Sequence, residues 1–244
     1  MKLLLLAGTG EARRIASALS PKFNILASLA GSTRGPVEMA CPVRIGGFGG
    51  PEGFRDYLKT ENIGAVLDAT HPFAGVMSHT AATICNSLGL PHVQLLRPAW
   101  KPKEGDIWHF VDRAEDAASI VPPNAVIFLA TGRQTLPGFA NLRVRRLICR
   151  QIDPPDRPFP HENGQYLVGR PPFSVEDEVS LFRDLGVNVL IVKNSGGGAS
   201  RSKLDAARLL RIPVILLNRP VQTDCSRVQT VEEAIEWVER LFSA

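Results

Sequence analysis

Four cysteines in 244 residues, none of them in a C-x-x-C pair, leave little scope for a disulfide framework or a zinc site. Cys41, Cys85, Cys149 and Cys225 are widely spaced, which points to a reduced, cytoplasmic setting and no resident metal. Long apolar runs are missing as well: none approaches the roughly 20 residues of a membrane span, so no membrane partner is expected. The opening MKLLLLAG has one lysine and a short apolar stretch without a small-residue cleavage site behind it, and reads as a first strand, not a signal peptide. Charge of one sign is also scarce, with a net of only +4. That surplus suits an acidic ligand but is equally the state of an ordinary solvated surface, and nucleic acid is not expected. Hydrophobic residues at 44% and charged residues at 21% sit near globular averages, which excludes a disordered chain.

What is present is alternation. Apolar runs suited to buried strands fall at Lys2–Ala7, Asn24–Leu29, Val43–Ile45, Ala65–Ala69 and His92–Leu96, with helical spacing at Glu11–Leu19, Glu52–Thr60 and Phe73–Leu88. RPAWKPKEGD (97–106) breaks the rhythm with two prolines and a glycine and reads as a linker. A second set follows, with strands at Ala125–Ala130, Arg146–Gln151, Gln165–Val168, Val189–Val192 and Val214–Leu217. Helices at Arg113–Ile120, Val175–Leu185, Lys203–Leu210 and Val231–Phe242 are expected to cover its sheet. DPPDRPFPHENG (153–164) is a loop. The pattern predicts an α/β chain of two parallel-sheet domains, 1–98 and 99–244, with a cleft between them.

Three stretches of the first half point to a dinucleotide. LLLLAGTGEARRIA sets Gly8, Thr9, Gly10 and Glu11 between strand and helix, where backbone N–H groups and the helix dipole favour a pyrophosphate, although Arg13 replaces the third glycine of G-x-G-x-x-G. LAGSTRG, after the second strand, lacks the acid that would accept from an NAD ribose. Its Ser32, Thr33 and Arg34 suit a 2′-phosphate, so NADPH is favoured over NADH. IGGFGG places Gly47 and Gly49 around Phe48, allowing a flat ligand to approach the backbone. Each stretch has a plainer reading as a tight or solvated turn.

AVLDATHPFAG (65–75) ends a buried strand in an acid, a hydroxyl and an imidazole. If the chain reverses across its first strand, the fourth lies beside it, and Asp68–His71 meets the glycine loop at the switch point. Thr70 or His71 is then a helix cap or a cofactor-positioning group, with Pro72 in the first helical turn. His71 is also a candidate proton donor, because imidazole titrates near neutrality. A metal role is disfavoured by too few ligands. In the second half Arg133, Arg170, Lys193, Asn194, Ser195 and Gly196 fall at predicted strand ends; each arginine alone reads as a surface residue, but several at one sheet edge suit a polyanionic substrate.

In order, AGTGEA, LAGSTRG, IGGFGG, DATHPFA, LLRPAW, LATGRQ, GRPPFS and VKNSGGG resemble the precorrin-6A reductase family of cobalamin biosynthesis, from Lys2 to about Pro220. The resemblance implies two Rossmann-like domains, NADPH on the first and a tetrapyrrole bearing acetate and propionate arms as substrate. It implies hydride reduction of one ring double bond of precorrin-6A to give precorrin-6B; separately, a monomer is expected. The chain departs from the family in having Ala7-Gly8-Thr9 where Gly-Gly-Thr is commoner, and in placing Arg34 three positions beyond Gly31. Three alternatives stand beside this reading. A short-chain dehydrogenase needs Tyr-x-x-x-Lys, and Tyr57 and Tyr166 are followed at that spacing by Glu61 and Arg170, which excludes it. An NADP(H)-sensing regulator would keep the first loops without needing the cationic edge. A cobalt-precorrin-6A reductase would share every motif.

Overall fold

The computed structural model describes residues 1–31 and 38–243. The chain forms two compact units, Met1–Pro98 together with Pro220–Ala244, and Ala99–Arg219. Each is built on a six-stranded parallel sheet. In the first unit β1 (Lys2–Leu6), α1 (Gly10–Leu19), β2 (Asn24–Leu29), β3 (Val43–Ile45), α2 (Gly50–Thr60), β4 (Ile63–Asp68), α3 (Gly75–Ser87) and β5 (His92–Leu95) follow in order. The run LLLL of β1 is buried on both faces, as a central parallel strand requires. Its side chains alternate: Leu3 and Leu5 pack with α1, Leu4 and Leu6 with α2 and α3.

The second unit contains β6 (Trp108–Val111), β7 (Val126–Ala130), β8 (Arg146–Gln151), β9 (Gly164–Val168), α4 (Val175–Leu185), β10 (Val189–Lys193), α5 (Ser202–Leu209) and β11 (Val214–Leu217). Its strand order is β6-β11-β10-β7-β8-β9. Two 3-10 helices, Ala114–Ser119 and Arg133–Phe139, occupy the connections on either side of β7. The first of them stands where an α-helix was expected.

The expected second domain, 99–244, is too long. Beyond Arg219 the chain returns to the first unit through β12 (Arg227–Val228) and α6 (Val231–Ser243). β12 pairs with β5, extending the order to β12-β5-β4-β1-β2-β3. Val231, Ala234 and Val238 of α6 are buried with Leu3, Leu5 and Ile15, and Arg14–Glu232 (2.8 Å) and Lys22–Glu239 (3.0 Å) border the contact. The amphipathic stripe of α6 shows that one face must be buried, but not against which sheet.

The 97–106 stretch is less of a linker than its composition suggests. Trp100 is buried in the second unit's core, its backbone N–H donates to Asn194 Oδ1 (2.8 Å), and its indole N–H to Gly197 O (2.7 Å). Among the described residues no helix is long and apolar enough to cross a membrane. All four cysteines are free thiols, and burial pushes those of Cys85 and Cys149 up to about 12.

Candidate functional site

β4 pairs with β1, Leu6 standing opposite Asp68, so the carboxyl ends of these strands meet where the first sheet reverses direction. Gly8 has φ +128°, a conformation open to glycine, and Thr9 caps α1 by accepting from Ala12 N (3.1 Å). The same hydroxyl donates to Ala69 O (2.7 Å), which fastens the glycine loop to the end of β4. Glu11 is paired with Arg97 at 3.1 Å, so its carboxylate is already engaged.

Asp68 is fully buried and organises the DATHP turn. Its Oδ1 accepts from Thr70 N (3.0 Å) and Thr70 Oγ1 (2.6 Å). His71 Nδ1 accepts from Phe73 N (3.2 Å), which in the neutral ring places the proton on Nε2. The expectation that Thr70 or His71 caps the next helix is therefore corrected. Their polar atoms are spent on a turn, α3 begins only at Gly75 behind Ala74 without a side-chain cap, and Pro72 lies ahead of it. Ala69, the residue before Thr70, carries the contact to Thr9 of the glycine loop.

Gly46 and Gly49 have φ +120° and +80°, and a Cβ built on Gly8, Gly46, Gly47 or Gly49 would meet nothing among the described residues within 4 Å. That is room for a ligand to reach the backbone. Phe48 packs inward. Its ring packs edge-on against Phe54 (4.8 Å) and Tyr57 (5.1 Å) beneath the Arg44 guanidinium (4.0 Å), so it props the loop from inside. Ser32, Thr33 and Arg34, the expected 2′-phosphate contacts, lie outside the described residues.

Two cations were missed by pattern reading. Arg44 stands opposite Ser28 at the end of β2 and donates to Ser28 Oγ (2.8 Å) and to the Gly46 and Gly47 carbonyls (each 2.9 Å). Arg13 brings its guanidinium to 3.7 Å from a Cβ built on Gly10. Among the described residues neither has a carboxylate partner. Arg13 was visible only as a departure from the glycine motif, and Arg44 only as a charge in a short strand.

In the second unit the expected substrate contacts fall at the carboxyl edge of its sheet, already engaged within the protein. Arg133 is 3.6 Å from Asp156 and Arg170 is 3.8 Å from Asp153, both acids in the proline-rich loop. The Asn194 side chain both accepts from and donates to the backbone of Trp100. Arg219 donates to Asn194 O (2.9 Å) and Ser195 O (3.0 Å), and Gly196 turns the chain at φ +68°. Burial holds the Lys193 ammonium below its ordinary pKa. Among the described residues no cluster of His, Cys, Asp and Glu could hold a metal ion.

Comparison with known proteins places this arrangement. Residues 2–239 match the family described as "Precorrin-6x reductase CbiJ/CobK". The chain is 43% identical to a precorrin-6A reductase of Rhodococcus erythropolis over 97% of each chain, and 41% identical to one of Mycobacterium tuberculosis over 99% of each. A cobalt-precorrin-6A reductase of Priestia megaterium is 28% identical over 96% of each chain. The solved structure of a CobK precorrin-6A reductase superposes with a TM-score of 0.93, at 38% identity, covering 98% of this chain and 96% of that one. With the match spanning both sheets and every glycine loop described above, the chain belongs to the precorrin-6x reductase CbiJ/CobK family.

Proposed function

We propose that this chain reduces one ring carbon–carbon double bond of precorrin-6A to give precorrin-6B in cobalamin biosynthesis, with NADPH as the hydride donor. The observation carrying the cofactor assignment is the first unit's switch point, where open glycine backbones stand beside Arg13 and Arg44, two cations without carboxylate partners among the described residues. Pyrophosphate and a 2′-phosphate suit that chemistry. When bound there, NADPH supplies a hydride to one carbon of the double bond. A proton reaches the other carbon, so one NADPH and one H⁺ are consumed per double bond.

The chain's own groups position and protonate. Gly8 and Gly10, with the N-terminus of α1, receive the phosphates, while Asp68 holds Thr70 and Phe73 N holds the His71 ring in the following turn. His71, protonated on Nε2 in its neutral form, is assigned as the proton source. The cationic edge of the second unit, Arg133, Arg170 and Lys193 with the Asn194–Gly196 loop, is assigned to the arms of the macrocycle.

The test follows loss of nicotinamide absorbance with precorrin-6A, with cobalt-precorrin-6A, and without macrocycle, each with NADPH and with NADH. The expected result is turnover of precorrin-6A with NADPH only. Equal rates with NADH would remove the 2′-phosphate assignment. Faster turnover of the cobalt form would move the chain to the cobalt branch, and tight NADPH binding without any turnover would make it a sensor.

A further inference from the structure

A small pocket of about 140 Å³ opens at the carboxyl edge of the second sheet, between the ends of β7 and β8 and the start of α5. β7 is where this sheet changes direction, with β8 on one side and β10 on the other, and α/β sheets take ligands at such a point. Arg150, Phe173, Glu178, Ser202 and Lys203 are among its lining residues, none of them singled out by the strand and loop patterns. Arg150 and Glu178 form a two-pronged ion pair at 2.9 and 2.6 Å, 7% and 0% exposed, and cancel each other's charge. Phe173 lies against the Arg150 guanidinium at 4.3 Å and fixes it in place.

Lys203 is left over. Its ammonium donates to Ser200 O (2.5 Å), and among the described residues no carboxylate lies within ion-pair distance of it. It is also the second residue of α5, where the backbone N–H groups have no helical partners. The pocket therefore presents one uncancelled positive charge and a helix N-terminus, over a neutral and rigid floor. Its volume is close to that of an apolar cavity of about 150 Å³ that holds one benzene ring. A tetrapyrrole cannot enter, but one carboxylate arm can.

We propose that this pocket is a carboxylate subsite in which Lys203 and the start of α5 grip one acetate or propionate arm of the macrocycle. The proposal rests on the precorrin reading above and adds to the edge residues a contact that charge counting along the sequence does not give. Burial, reinforced by Arg150 and partly offset by Glu178, pushes the Lys203 ammonium down to about 8, and a bound carboxylate would raise it again. Binding of the arm is accordingly expected to weaken as pH rises through that value, with Arg150 and Glu178 the charged groups facing Lys203 from β8 and α4.

The test compares wild type, Lys203→Met and Lys203→Arg for precorrin-6A titration, NADPH titration and steady-state turnover. Loss of a charge-assisted hydrogen bond should weaken macrocycle binding in Lys203→Met by about tenfold or more. NADPH affinity and the circular dichroism spectrum should stay unchanged, and Lys203→Arg should recover most of the binding. Free propionate should compete with the macrocycle in the wild type and lose that competition in Lys203→Met. Wild-type turnover with unaltered macrocycle affinity in Lys203→Met would overturn the subsite and leave the function standing. A wild type inert towards both precorrin-6A and cobalt-precorrin-6A would overturn the subsite and the function together. Competition by propionate that persists in Lys203→Met would likewise place the arm elsewhere.

Discussion

Replacing Arg150 by Met tests how the second unit's pocket is held together. The substitution removes a guanidinium with both prongs on Glu178 and leaves that carboxylate at 0% exposure. Breaking a buried pair from one side costs about 3–5 kcal/mol, because the remaining charge keeps its desolvation penalty. Lys203 lines the same pocket and offers a partial counter-charge, so the lower end, about 3 kcal/mol, is expected. The Met side chain can fill the space between Phe128 and Phe173, whose rings lie 4.9 and 4.3 Å from the guanidinium carbon, so cavity formation adds little. Removing both charges in Arg150→Met/Glu178→Leu should restore stability to within about 1 kcal/mol of wild type or improve on it. The assay is urea unfolding followed by tryptophan fluorescence in a Trp237→Phe background. Trp237 is the first unit's tryptophan, and the remaining two, Trp100 and Trp108, report on the second alone. A cost below about 1 kcal/mol for the single variant, or a double variant as unstable as the single one, would refute the account of a neutral, buried pair.

Other substitutions probe separate points. Burial pushes the Lys203 ammonium from an ordinary 10.5 down to about 8, so its penalty on stability is fully present below pH 8 and is relieved as pH rises towards 10.5. Lys203→Met should therefore be more stable than wild type by up to roughly 3 kcal/mol at neutral pH. That margin should shrink in urea titrations above pH 9, and a margin independent of pH would contradict the burial argument. Thr9→Val removes the α1 cap and the bond to Ala69 O together, with an expected loss of about 1–2 kcal/mol in thermal melts and a raised KM for NADPH. Thr9→Ser should keep both properties near wild type. For the thiols, burial predicts that iodoacetamide near neutral pH reaches the half-buried Cys41 and Cys225 well before Cys85 and Cys149. Peptide mass mapping over time checks this, and early labelling of Cys85 would count against it.

By itself the sequence determined the features with local causes. The run LLLL needs burial on both faces and makes β1 a central strand; the glycines at 8, 46 and 49 supply backbone angles that other residues rarely adopt; and an acid after an apolar run marks Asp68 at a strand end. The order of those motifs already carried the family resemblance. Only the tertiary structure decided that α6 belongs to the first unit, because an apolar stripe carries no address. It also decided that Thr70 and His71 close a turn instead of capping a helix, since Asp68 and Phe73 N compete for the same polar atoms. Likewise Arg150 and Glu178 are 28 residues apart with no shared periodicity, and only strand order and helix placement bring them together beside Lys203. Backbone demands and burial act residue by residue and are written along the chain, whereas the pairing of charges depends on which elements become neighbours, and that is settled by packing.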